Sequence, residues 1–300
     1  MGSPSKGELA KCCADQTSGP PRTRDAGWVN AIERIGFIHP GAMGASLGAA
    51  SQVPALWASA GRSAETLRRA RDAGLSDAGT VSALCEQCDA IVSICPPAVA
   101  AVVADEVASS GFTGVYVEAN AIAPAVSREI AQHFDRYVDG SVIGPPAGKP
   151  GTTRLYLAGA LAGDVAGCFA GGPVDARVID GGVAAASALK MAYASWTKIG
   201  GAMLLAIRAF AEAEGVSDAL VEEWAISQPG IAERSERVGP AVAPKAWRFT
   251  GEMEQIAAAF ADAGQPDGFA TAANEIYESL AGFKGQAPTF NEVVEALRAT

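Results

Sequence analysis

From Arg34 onward, short apolar runs alternate with longer stretches whose apolar positions recur at helical spacing. The runs are "RIGFIH", "VPALWAS", "AIVSIC", "GVYVEAN", "RYVDGSV" and "RLYLAG"; between them lie amphipathic segments such as "SAETLRRARDAG" and "PAVAAVVADEVASS". Runs of this length bounded by Gly, Pro and polar residues predict strands, and their alternation with helices predicts a parallel sheet with crossover helices. After "VDARVID", which ends at Asp180, the strand pattern stops. About thirty residues of helix-forming composition follow, "GGVAAASALKMAYASWTKIGGAMLLAIRAFAEAEG", loosened only at Gly200 and Gly201. Further helices are expected over 219–227, 251–263 and 268–281. Residues 1–30 are rich in Gly, Ser, Pro and charge without periodicity, and read as a disordered tail. The pattern therefore predicts an α/β Rossmann domain over 31–180 and an all-α domain over 181–300.

Composition narrows the partners. A length of 300 residues favours two domains or one large α/β unit, and 49% hydrophobic residues supply a core. With 33 acidic against 23 basic residues the formal charge is −10, which repels nucleic acid and anionic membranes and leaves small molecules as the expected partners. Apolar stretches are broken well before the ~20 residues of a membrane span. The first thirty residues also lack the charged start and apolar run of a secretory leader, so a cytoplasmic location is expected. Cys85 and Cys88 have half the spacing of a zinc site, but no second pair follows and the only histidines are His39 and His133. Small residues closing a helix before a strand account for that pair better, and no metal is expected.

The stretch "GFIHPGAMG" has two of the three small positions of a dinucleotide turn. Gly41 stands where backbone meets pyrophosphate and Gly44 where the helix packs on the sheet, while His39 and Pro40 occupy the first position and its neighbour. An apolar strand precedes and a helix-compatible "AMGASLGAA" follows, so the amides of Ala42, Met43 and Gly44 would open toward phosphate. At the end of the second strand an NAD site usually carries a carboxylate. Here "WASAGRS" offers none before Glu65; Arg62 can pair with a phosphate, and the Ser59 and Ser63 hydroxyls can bond to it. These residues favour NADP, the alternative being that Arg62 is an ordinary solvated residue at a helix start.

In order along 33–285, the "GAMG" turn, the "GRS" turn, "SICPPAVAAVV" and "ALKMAYASWTK" resemble the β-hydroxyacid dehydrogenase and 6-phosphogluconate dehydrogenase superfamily. The resemblance implies a proline-containing loop, Cys95, Pro96 and Pro97, beside the nicotinamide, and a catalytic lysine, Lys190, on the first interdomain helix. It also implies nicotinamide or substrate contacts from Asn120 and a second lysine, Lys245, reaching toward the cofactor. For Asn120 a strand-end turn role stands equally open, and for Lys245 plain surface exposure. Chemistry supports Lys190 independently, since a partly desolvated lysine can move a proton at a hydroxyl or carbonyl oxygen. A snorkelling role for it, and Lys198 on much the same face, are the alternatives. The stretch "SQPGIAERSERVGPAVAPKAWRFTGEMEQIAAAF" resembles a less-studied helical C-terminal domain of some members, and the family architecture implies a homodimer through the helical domain.

Two departures bear on substrate. Where better-known members carry an asparagine one turn after the lysine, this chain has Ala194, with Tyr193 beside it. The substrate loop resembles "DGSVIGPP", in which Ile143, followed by Gly144, replaces the serine that would meet a carboxylate. Both changes remove polar partners, which implies a substrate bulkier or less polar than a simple 3-hydroxy acid. Tyr193, Trp196, Met203 and Trp247 either line an apolar pocket or, as is commoner for such spacing, belong to the core. The leading reading is an NADP-dependent oxidoreductase acting at a hydroxyl or carbonyl carbon. Imine reduction on the same architecture is the alternative enzyme class, and a non-catalytic NADP-binding protein is the alternative outside catalysis.

Overall fold

The computed structural model describes residues 31–299; the tail expected over 1–30 lies outside them. Strand β1 (Ile35–Phe37) enters helix α1 (Ala42–Ala50), followed by β2 (Ala55–Trp57), α2 (Ala64–Asp72), β3 (Ser76–Asp77), α3 (Val81–Gln87), β4 (Ala90–Ser93) and α4 (Ala100–Ser109). Then come β5 (Val115–Glu118), α5 (Pro124–Ala131), β6 (Tyr137–Ile143), β7 (Thr153–Ala158), α6 (Ala162–Gly167) and β8 (Val174–Val178). The remainder is helical: α7 (Ala185–Ala213), α8 (Ser217–Ser227), α9 (Ile231–Val242), α10 (Thr250–Asp262), α11 (Gly268–Ser279) and α12 (Phe290–Arg298). Among the described residues no helix is long and apolar enough to cross a membrane.

The strands form one eight-stranded sheet in the order β3-β2-β1-β4-β5-β6-β7-β8. Because β2 and β4 both pair with β1, successive crossovers leave β1 in opposite directions, and that switch opens a crevice at the C-terminal edge of the sheet. The sheet is parallel as expected except at β6 and β7, which pair antiparallel. Residues 144–152 join them as a loop, with no helix to carry the chain back, so the second strand returns beside the first. One apolar core lies against each face: Phe37, Leu47, Val92, Val117 and Leu155 on one side, Ile38, Leu84, Ile91, Val103 and Tyr116 on the other.

The long helix α7 passes through Gly200 and Gly201 without a break. The loosening expected there does not occur because the second glycine serves packing: a Cβ on Gly201 would stand 3.1 Å from Val238 of α9 and 3.4 Å from the Tyr277 hydroxyl of α11. A third core, around Met191, Leu205, Phe249, Met253 and Tyr277, binds α7 to α10 and α11. Cys85 and Cys88 fall at the end of α3 just before β4, as the reading of small residues there anticipates.

Candidate active site

The phosphate turn forms as its glycines require. Gly41 is the N-cap of α1, which has no side-chain cap and no acidic residue in its first turn, so the first amides of the helix have no side chain competing for them. A Cβ at Gly41 would meet nothing within 4 Å, whereas one at Gly44 would lie 2.7 Å from the His39 carbonyl oxygen and 2.8 Å from Ile94. The first glycine thus leaves an open cradle and the second permits close helix-to-strand packing. Ala42 is exposed, Met43 half-buried, and Pro40 buried with its carbonyl accepting from Arg69 of α2 at 3.5 Å.

At the end of β2 the Ser59 carbonyl accepts from the Arg62 amide at 3.1 Å, a turn made possible by Gly61 at φ 72°. The Nε of Arg62 and the Nδ1 of His39 are both buried without a hydrogen-bond partner. Burial first, and the Arg62 charge second, hold the His39 imidazole down at about 4, so it is neutral near pH 7. Ser63 is above all the N-cap of α2, its hydroxyl accepting from the Thr66 amide at 3.3 Å. An open cradle flanked by two buried unbonded nitrogens, one of them on a guanidinium, fits the phosphates of a dinucleotide.

The loops after β4 and β5 are tied together by Asn120. Its side-chain oxygen accepts from the Cys95 amide, its side-chain nitrogen donates to Ser93 Oγ at 3.1 Å, and its own amide donates to Glu118 at 2.9 Å. Asn120 is only 2% exposed, so the expectation that its amide reaches nicotinamide or substrate is corrected: this side chain holds two loops in register. Cys95 is half-buried, its thiol pushed up to about 11 by burial and by Glu118, while Pro96 is exposed and Pro97 opens a short 3-10 turn packed against α10.

Lys190 lies in the second turn of α7, half-buried, and donates from Nζ to the Val142 carbonyl of β6 at 2.8 Å. Burial, and then the charge of Lys198, lower its pKa, while Glu252 on α10 acts the other way. Lys198 itself is committed: its Nζ lies 2.5 Å from Glu252 and 5.0 Å from the centre of the Phe249 ring. Of the two rival lysines, only Lys190 is free of a carboxylate partner in this cluster.

The remaining expected contacts divide. Gly144 is exposed at φ 124°, with a Cβ position 2.2 Å from the Thr152 carbonyl oxygen, so only glycine fits. Ile143 is buried in the sheet, and Ala194 is buried in the helical core with Met191 and Phe249; direct substrate contact by these two side chains is corrected to packing. Tyr193, Trp196, Met203 and Trp247 are all exposed, which corrects the core role. Trp196 lies beneath the Arg234 guanidinium and Trp247 beneath Lys284. Lys245 is exposed on the 3-10 turn Ala243–Arg248. Among the described residues no group of three or more His, Cys, Asp or Glu stands together as a metal site.

Sequence reasoning assigned no role to Glu118, Asp139, Ser187 or Glu252. Glu118 and Asp139 are neighbours in the β5–β6 register and both fully buried, a pairing visible only once the strands are aligned.

No curated protein matches the sequence significantly. The family described as a domain of unknown function, DUF1932, matches residues 211–280, which contain the stretch Ser227–Phe260 that resembles a less-studied helical domain. Among solved structures, conserved protein MTH1747, described as of unknown function and similar to 3-hydroxyacid dehydrogenases, is 24% identical with a TM-score of 0.67, over 83% of this chain and 97% of its own. Mycobacterium tuberculosis 3-hydroxyisobutyrate dehydrogenase with L-serine is 16% identical with a TM-score of 0.64, over 89% and 99%. An Aspergillus terreus reductive aminase in complex with NADPH4, cyclohexanone and allyl amine is 15% identical with a TM-score of 0.53, over 89% and 99%. The chain thus shares the fold of the 3-hydroxyacid dehydrogenase-like structures, a mostly parallel sheet followed by an all-helical region.

Proposed function

We propose that the chain is an NADP-dependent oxidoreductase of the cytoplasm that transfers hydride at a hydroxyl or carbonyl carbon of a small organic substrate. In this reading residues 31–180 form the cofactor domain and 181–300 the helical domain. The observation that carries it is Lys190: a half-buried lysine with no carboxylate partner, its pKa lowered, at the edge of the sheet where the phosphate turn opens. The solved dehydrogenase and reductive aminase of the same fold support an oxidoreductase in general.

A bound nicotinamide supplies or accepts the hydride. The α1 amides and Gly41 receive the pyrophosphate, Arg62 with His39 the adenosine phosphate, and the Asn120 tie sets the loops on which the ring would rest. Lys190 Nζ delivers or takes the proton at the substrate oxygen, which general acid–base catalysis values at about 10²–10⁴-fold.

The test is NADPH oxidation with a panel of carbonyl and imine substrates. Lys190→Ala is expected to lose carbonyl turnover by about 10²-fold or more, and Lys198→Ala to keep it. An unchanged rate in Lys190→Ala refutes the acid/base role. Arg62→Ala should lower the preference for NADPH over NADH; an unchanged ratio refutes the NADP reading. Imine reduction is the second reading, supported by the reductive aminase of the same fold. Turnover of imines alone, indifferent to Lys190→Ala, would establish it.

A further inference from the structure

We propose that Asp139 is the positioning residue for Lys190: its buried carboxylate caps the first turn of α7 and so fixes the register at which Lys190 meets strand β6. The proposal rests on the reading of Lys190 as the proton carrier.

Helix α7 begins without a cap of its own. Ala184 at the N-cap has no side chain to offer, and the first turn holds no acidic residue. Its orphan amides need acceptors, and so near a buried strand those acceptors must be protein. Asp139 supplies them from a distant position in the sequence. Oδ2 accepts from the Ser187 amide at 2.7 Å; Oδ1 accepts from Ser187 Oγ at 2.6 Å and from Ser127 Oγ at 2.8 Å. Since the Ser127 proton goes to Asp139, Tyr137 donates to Ser127 Oγ at 2.8 Å and closes the network. Asp139, Ser127 and Ser187 are all fully buried.

One turn farther along α7, Lys190 reaches the same strand. Its bond to the Val142 carbonyl lies three residues beyond the Ser187–Asp139 bond on both helix and strand, so the two clamps together fix how α7 lies against β6. A carboxylate at a helix start is also favoured by the dipole. Asp139 has no exposed surface, so it meets no substrate; its effect passes through α7. The groups around the two clamps are few. Glu118 faces Asp139 from β5 and Tyr137 lies on its own strand, while Lys198 and Glu252 act on Lys190 from α7 and α10. Burial pushes Glu118 up to about 8, so it is mostly protonated near pH 7; burial also raises Asp139, while the hydrogen bonds from Ser187 and Ser127 act the other way.

The test follows the amine of Lys190 directly. Reductive methylation with ¹³C-formaldehyde makes each lysine an NMR probe, and the Lys190 signal is the one missing from Lys190→Arg. In Asp139→Ala the first turn loses its acceptor, Lys190 leaves Val142 and becomes more hydrated, and its titration should move up by about one pH unit. Asp139→Asn, which keeps an oxygen for the Ser187 amide, should give a smaller movement in the same direction. Should Asp139→Ala fail to fold, the Asn variant alone decides. A Lys190 titration identical to wild type in the folded variant overturns the proposal. The proton-carrier reading fails separately, by undiminished turnover in Lys190→Ala.

Discussion

Two glycines in one turn give opposite expectations. Gly41 sits at φ −61° and ψ −174°, a backbone any residue adopts, with open space where a Cβ would go. Gly41→Ala gains about 0.4–1 kcal/mol from a less flexible unfolded chain and loses a comparable amount as a poorer N-cap, so the apo protein should melt within about 2 °C of wild type. Gly44→Ala differs, because its methyl would lie 2.7 Å from a backbone oxygen that cannot move without shifting β1. Overpacking of this kind costs about 1–3 kcal/mol, or about 3–10 °C for a chain of this size. Phosphate binding separates the two further. The Gly41 methyl fills the cradle, and losing one charged hydrogen bond there raises the NADPH Kd by about 10–100-fold. Scanning fluorimetry with and without NADPH reads both effects: ligand at a hundred times Kd stabilises wild type by about 2.7 kcal/mol, and at the same concentration that increment should fall to about 0.4–1.4 kcal/mol in Gly41→Ala. Undiminished NADPH stabilisation in Gly41→Ala would refute the assignment of this turn to the cofactor, and an unaltered melting point in Gly44→Ala would refute the packing argument.

Buried Glu118 predicts a pH slope. Its carboxyl, pushed up to about 8 chiefly by burial, keeps its proton in the folded state while the unfolded chain releases it near the ordinary 4.5. The unfolded state then binds fewer protons, so this group makes stability fall as pH rises from 4.5 to about 8. Glu118→Gln should flatten the fall in urea midpoint between those limits, and an equal fall in the variant would refute the assignment. We propose that the pairing of two copies through the helical domain, which the family resemblance implies, uses one face: Trp196, Met203 and Phe210 recur at heptad spacing on α7 and are more than half exposed. Trp196→Asp should shift a dimer toward monomer in light scattering, and a wild-type monomer at micromolar concentration would dismiss the pairing.

What could be read from the sequence was local. The β1–α1 turn, the Ser63 start of α2, the strands other than β3 and the span of α7 each announce themselves within a few residues, through glycine placement, a capping hydroxyl or apolar periodicity; the two-residue β3, Ser76–Asp77, is exposed and carries no such signal. Helix α12 was equally legible and passed over. Thr289 and Glu292 form a capping box ahead of an amphipathic "FNEVVEALR", and that spacing is a helix start by itself. Helix α9 lies outside the helices expected from the sequence; Pro240 lacks the N–H that would bond the Glu236 carbonyl, and the helix ends two residues later at Val242. The antiparallel return of β7 carried no signal, because strand direction is set by the partner and not by the strand's own pattern.

The site follows the same division, and it explains which departures matter. Ile143 and Ala194 looked like altered substrate contacts because each occupies a position that a family pattern fills with a polar group. The structure buries both, Ile143 beside Arg154 in the β6–β7 pairing and Ala194 in the helical core. Their replacement therefore removes no exposed hydrogen-bonding group here; any polar substrate recognition has to come from elsewhere along the sheet edge. The groups that bind helix to sheet are polar and distant in sequence: Asp139 to Ser187, Lys190 to Val142, and Gln255 of α10 accepting from the Ala123 amide at 2.7 Å. Each belongs to a pair whose members have no reason to be associated until strand register places them. A lone lysine on an alanine-rich helix is an ambiguous signal, and what makes Lys190 the candidate is the strand that holds it, which no spacing within α7 could reveal.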